Sequence, residues 1–157
     1  MFQWWHAVAI FVVANVVSAI PAGMFGDSDF YNDLRKPAFA PPDWAFPPVW
    51  LVLNVTSLIA LWIVARSPAS TPRTTFLAAE VVGWITFAAF TGLYFGLRSP
   101  TLGAIDTAIG LIAAAVATWS AFQIATLPGV LVLLRLLWLL LATYVSVAVV
   151  LLNRTVT

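Results

Sequence analysis

The chain has 157 residues, of which 62% are hydrophobic and 8% charged, and its formal net charge is +1. A water-soluble domain carries roughly 25% charged residues, so this composition points to lipid as the solvent, and the near-neutral charge argues against a nucleic-acid partner. With no cysteine and one histidine, disulfides, thiol chemistry and Cys-ligated metal are excluded, and neither a metal nor a cofactor is expected.

A membrane-spanning helix needs about 20 mainly apolar residues. Five runs qualify: Trp5–Phe25, Phe46–Ala65, Phe76–Leu97, Leu102–Ile124 and Gly129–Leu152. The first resembles a signal peptide where Ser18 to Gly23 offers small residues. No Lys or Arg precedes it and its apolar run is long, so a retained helix is the reading adopted. Breaks rich in Pro, Gly, Ser and Arg separate the runs, and short loops force neighbouring helices antiparallel. The expected fold is an all-α integral membrane protein, a five-transmembrane-helix bundle forming one domain over residues 1–157.

Arg66 and Arg73 lie at the end that holds the N-terminus, whereas Arg35, Lys36, Arg98 and Arg154 lie at the other. The positive-inside rule then sets the N-terminus outside and the C-terminus in the cytoplasm of a bacterial cell membrane. Trp4, Trp5, Trp44 and Trp62 fall near helix ends, as interfacial anchors do.

Between the first two runs lies Phe30 to Trp50, FYNDLRKPAFAPPDWAFPPVW, with five prolines among aromatics and charges. Each proline fixes φ and drives its predecessor to extended backbone. The segment reads as a stiff cap, with one short helical turn over Tyr31–Leu34. From it Tyr31, Phe39, Trp44 and Phe46 can turn rings into the bundle. The competing reading is a loop that simply marks the bilayer surface.

Ionisable groups inside spans are expensive and need partners. Glu80 and Arg135 fall at matching depth in the third and fifth runs and are expected to form a structural ion pair. The alternative is that each reaches separately for the interface. Asp106 lies near the opposite interface, with Arg98, Arg35 and Lys36 as candidate partners. Helical stripes run through Asn15, Ser18 and Ala22, through Glu80, Trp84, Phe87, Thr91 and Tyr94, and through Arg135, Trp138, Ala142 and Ser146. Such stripes serve packing or a binding wall. Ala79 and Gly83, four residues apart, form a small-residue face suited to close helix approach. They are the expected homodimer interface, with intramolecular packing as the alternative.

The spacing of Tyr31, Leu34, Lys36-Pro37, Pro41-Pro42, Trp44, Phe46 and Trp50 resembles the TspO/MBR family of tryptophan-rich sensory and translocator proteins. That family's pattern here reads approximately W-Y-x-x-L-x-K-P-x-W-x-P-P-x-W-x-F-x-x-x-W. Phe30 and Phe39 stand where the pattern has Trp. The resemblance implies a five-helix protein, often dimeric, that binds porphyrins, sterols or other hydrophobic ligands beneath this loop. The ligand-binding residues it implies are Tyr31, Pro42, Trp50, Phe87, Phe90, Trp138, Ala142 and Ser146. Departures are substantial. Phe87 and Phe90 occupy the places of the family's Asn and Trp in the third span, Gly92 that of a proline, Ser146 that of an asparagine, and Arg135 that of an uncharged residue.

Three functions remain open to the sequence. The first is a receptor or transporter-like membrane protein for flat hydrophobic ligands. The second is an enzyme that degrades porphyrin, a reading disfavoured by the lack of any acid–base or nucleophile–base constellation, so that no catalytic residue is assigned. The third is a non-catalytic regulator of another membrane complex.

Overall fold

The computed structural model describes residues 3–25 and 28–154; the side chains at 18 and 20–29 lie outside the description, so the expected places of Ser18 and Ala22 are not addressed. The described residues form α1 (Trp4–Phe25), α2 (Ser28–Asp33), a 3-10 turn (Asp43–Ala45), α3 (Phe46–Ala65), α4 (Thr71–Thr91), a π-helical turn (Gly92–Gly96), α5 (Pro100–Phe122) and α6 (Thr126–Leu152). Six α-helices are therefore present among the described residues where five spanning helices were expected, the extra one being the loop helix α2. Among the described residues four stretches are long and apolar enough to cross a membrane: Asp43–Ala65, Thr71–Gly96, Pro100–Phe122 and Thr126–Leu152. Helix α1 spans 22 residues and is apolar over Trp4–Val17.

Several helices begin before the apolar run does, because their first turns are capped rather than greasy. The Ser70 side chain accepts from the Arg73 N–H at 3.3 Å, and that of Ser99 from the Leu102 N–H at 3.2 Å. Pro72 and Pro100 fall in the same first turns, where a missing N–H leaves nothing unsatisfied. The Arg73 guanidinium reaches back to the Ala65 carbonyl at 2.9 Å, closing the α3–α4 connection.

Helix α5 is the central packing element, lying against both α4 and α6. Its buried face is Gly103, Ala104, Gly110, Ala113, Ala114, Ala117 and Ala121. Small side chains let neighbouring backbones approach closely, which is where helix association in lipid draws its dispersion energy. Gly103 shows the tolerance: a Cβ there would lie 2.5 Å from the Tyr94 ring. Away from the loop, Ala60, Leu61, Val64, Phe76, Ala79, Ala117, Ala121 and Val132 form one buried cluster. Large apolar side chains such as Ile85, Ile112, Trp119 and Leu137 point outward, the inverse of a soluble bundle and as expected for rods in hydrocarbon.

Ala79 belongs to that buried cluster, and a Cβ on Gly83 would meet the Arg135 guanidinium at 3.5 Å. Of the two small residues expected between subunits, Ala79 is therefore buried within this chain and Gly83 is half-buried. Asp106 also departs from expectation. It is buried and makes no ion pair among the described residues, rather than meeting Arg98, Arg35 or Lys36 at the interface.

Candidate functional site beneath the loop

The loop is fastened at three places. Helix α2 sets Tyr31 against the π-helical turn, with ring centroids 6.3 Å from Tyr94 and 6.0 Å from Phe95. That turn widens the end of α4, where the Leu97 N–H donates to the Gly92 carbonyl at 2.9 Å and the Ser99 N–H to the Tyr94 carbonyl at 3.1 Å. One extra residue per turn re-aims Tyr94 and Phe95 toward the loop, a use of π-turns common near functional sites.

The second fastening is Asn153, just past the end of α6 and 4% exposed. Its Oδ1 accepts from the Arg35 N–H and its Nδ2 donates to the Arg35 carbonyl, both at 3.0 Å. A side-chain amide thereby pairs with loop backbone as a neighbouring strand would. Asn153→Ala leaves both backbone groups without these partners, at a cost of about 1–3 kcal/mol. Hydrogen–deuterium exchange should then accelerate across residues 34–42 and leave α5 unchanged.

The third is a charged triangle. The Lys36 ammonium sits 3.4 Å from the Tyr31 ring centroid and 3.8 Å from the Asp43 carboxylate. Burial, then the nearby Asp43 charge, push the Tyr31 hydroxyl well above its ordinary value of 10.0. A group whose folded pKa is raised stabilises the fold fully below its unfolded pKa. That stability is lost as pH climbs through the folded value. Closure of the loop is therefore expected to be insensitive to pH up to about 10 and to weaken above it. An alkaline absorbance titration should give the same phenolate signal for wild type and Tyr31→Phe at Tyr31's ordinary pKa; a larger signal from wild type there would refute the shift.

Below the loop lies a cavity of about 790 Å³, within the range of small-molecule sites. Tyr31, Trp50, Phe87, Phe90, Trp138, Ala142 and Ser146 all line it. Pro42 does not: it is exposed and caps the 3-10 turn, and the neighbouring Pro41 faces the cavity instead. Phe46 also lines it, but Phe39 and Trp44 are 80% and 76% exposed, so only Tyr31 and Phe46 of the four loop aromatics turn inward. The walls are ring against ring. Trp50 meets Phe87 at 5.1 Å, Phe46 meets Trp138 edge-on at 5.6 Å, and Phe90 stacks on Tyr94 at 5.4 Å. Phe87 and Phe90 line the chamber without filling it.

The Arg135 guanidinium and the Glu80 carboxylate form a two-pronged ion pair, with Nη1 donating to Oε2 at 3.2 Å and Nη2 to Oε1. Both side chains are almost wholly buried. The paired Arg135 also borders the cavity. Sequence reading missed Asn54, Asp106 and Thr107 as lining residues. Asn54 stands one helical turn beyond Trp50 on the same stripe of α3, a spacing that could have flagged it.

Apolar membrane-crossing helices, closed at one end by a proline-braced loop over an aromatic-walled chamber, define a multi-pass integral membrane protein with an internal cavity. The chain belongs to the TspO/MBR family, whose model matches residues 7–152. It is 30% identical over 140 residues to the tryptophan-rich sensory protein of Cereibacter sphaeroides, covering 88% of this chain and 86% of that one. It is 33% identical over 133 residues to the tryptophan-rich protein TspO of Chlorobaculum tepidum, covering 79% of each. To the protein of the same description from Archaeoglobus fulgidus it is 28% identical over 152 residues, covering 90% of this chain and 96% of the relative.

Proposed function

We propose that this protein is a membrane receptor or transporter-like protein that holds porphyrins, sterols or similar flat hydrophobic molecules in the chamber beneath the loop. The observation that carries the reading is the chamber's wall, in which Phe46, Trp50, Phe87 and Trp138 offer ring faces and edges at 5–6 Å spacing. Flat aromatic ligands gain both area burial and offset stacking from such a wall. In this reading α1 is the fifth span, the N-terminus is outside and the C-terminus cytoplasmic, and the protein acts as a homodimer, with Gly83 on the small-residue face that would meet its partner. Tethering at Tyr31, Lys36 and Asn153 orders the loop in advance, which reduces the entropy lost when it covers a ligand.

A thermal-shift series in detergent tests this with protoporphyrin IX and cholesterol. A ligand that binds only the folded state raises the melting temperature by mass action, by an amount that grows with its concentration. No concentration-dependent rise with either ligand would reject the reading. Porphyrin absorbance that decays faster with protein than without would favour the enzymatic alternative.

A further inference from the structure

Three charged residues line the chamber: Asp43, Asp106 and Arg135. Two of them are answered within the chain. Arg135 is neutralised by Glu80, and Asp43, at the rim, lies 3.8 Å from the Lys36 ammonium. Asp106 is different. It is 7% exposed, and its side chain makes neither an ion pair nor a hydrogen bond among the described residues. Its oxygens nevertheless keep accessible surface, whereas buried unpartnered atoms such as Asn54 Nδ2 and Trp84 Nε1 keep almost none. Asp106 thus faces the chamber with an unanswered carboxylate. An ionisable group within a span is expensive unless something meets its charge, and it marks the place of that partner.

The fold says what surrounds this partner. Asp106 lies about two turns into α5 from Pro100, at the end of the bundle that the loop closes. Gly103 packs against the Tyr94 ring and Gly110 against the Thr86 hydroxyl. The antiparallel register so fixed sets Asp106 level with Phe90 and Thr91 of α4, both on the chamber wall. Phe90 stacks on Tyr94 at 5.4 Å, and Tyr94 neighbours Tyr31 at 6.3 Å. The chain already seats an ammonium in surroundings of this kind, with Lys36 over the Tyr31 ring beside Asp43. A second carboxylate at the level of aromatic rings suits a second ammonium. A divalent metal needs several oxygen ligands, and the described residues hold no cluster of three His, Cys, Asp or Glu side chains. An organic cation needs one carboxylate and an apolar wall, and the chamber offers both.

We propose that Asp106 selects a flat hydrophobic ligand bearing one ammonium group, whose N–H donates to the carboxylate beneath the loop. This rests on the reading of the chamber as a ligand site and adds the charge that the site prefers. The aromatic body of the ligand lies against Trp50, Phe87 and Trp138. An anionic ligand of the same shape binds with its charge turned away from Asp106, and more weakly.

The test compares three ligands of one shape on the wild-type protein in a non-ionic detergent at neutral pH: 9-anthracenylmethylammonium, 9-ethylanthracene and 9-anthracenecarboxylate. Binding is read by energy transfer from tryptophan to the anthracene ring. The ammonium compound is expected to bind at least about tenfold more tightly than the ethyl compound, the yield of one charge-assisted hydrogen bond, and the carboxylate more weakly than either. Asp106→Asn keeps the shape of the side chain and removes an unpaired buried charge, so the variant is expected to fold. In it the preference for the ammonium compound should disappear. Asp33→Asn, at an exposed acid of α2 outside the chamber wall, should leave the preference unchanged. Equal wild-type affinity for the ammonium and ethyl compounds, tightest binding of the carboxylate, or a preference that survives Asp106→Asn would overturn the inference while leaving the chamber a ligand site. Binding of none of the three would overturn both.

Discussion

Arg135→Met is expected to destabilise the protein by about 3–5 kcal/mol, because it strands the Glu80 carboxylate without its partner in the membrane interior. The pair is buried on both sides and joined by two hydrogen bonds, so solvent screening does little to soften the loss. Glu80→Gln should cost a similar amount by leaving the guanidinium uncompensated. The double variant Glu80→Gln/Arg135→Met removes both charges and should recover much of the loss, since a buried ion pair replaced as a unit is often close to neutral. Denaturant unfolding in micelles of all four proteins closes the cycle. Additive losses would show that the two groups do not depend on each other.

The second large effect falls on ligand affinity. Trp50→Ala and Trp138→Ala each remove an aromatic wall of the chamber, and centrally placed tryptophans of this kind typically carry about 2 kcal/mol or more of binding energy. Protoporphyrin IX should bind each variant about 30-fold more weakly than wild type, as read from the change in the porphyrin's own absorbance. Trp44→Ala and Trp119→Ala alter rings that are 76% and 74% exposed, and should leave the affinity as it is. Equal losses at all four positions would mean that any tryptophan on the surface suffices and that the chamber holds no privileged place.

The apolar runs located the long helices because in lipid a backbone must satisfy its own amides, so hydropathy and helix coincide. The ends were less legible. Thr71 and Thr126 open α4 and α6 ahead of the greasy stretch, since the start of a helix is set by a cap or a proline rather than by hydrophobicity. The matched depth of Glu80 and Arg135 was readable from counting turns, as was the inward stripe of Trp138, Ala142 and Ser146. The direction of a loop aromatic was not. Phe39 and Phe46 are the same residue type in the same proline-rich segment, yet one faces outward and the other lines the cavity. The 3-10 turn at Asp43–Ala45 lies between the two rings, and the Asn153 tether holds the loop from 118 residues away in sequence.

Two further features escaped for reasons of scale. The π-turn at Gly92–Gly96 changes the phase of α4 by a single residue, so a helical stripe drawn through Thr91 and Tyr94 assumes a regularity the backbone does not keep. The role of α5 as the central helix rests on Gly and Ala positions. A search for polar or aromatic landmarks passes over these, although small residues are what permit close packing in lipid. Asp106 lies one turn into the fourth apolar run, a depth that reads as interfacial; its burial at the chamber wall follows from the packing of α5 between α4 and α6, which sequence spacing does not encode.

Filling the chamber is the sharpest check on a ligand site beneath the loop. Ala142 lies on its wall, and Ala142→Phe adds a ring to the space without removing any partner that holds the loop. With protoporphyrin IX as ligand, the ligand-free variant should melt at or above the temperature of wild type, with the ligand-induced rise abolished. A variant that folds as well as wild type and still binds the porphyrin with wild-type affinity would contradict a ligand site there.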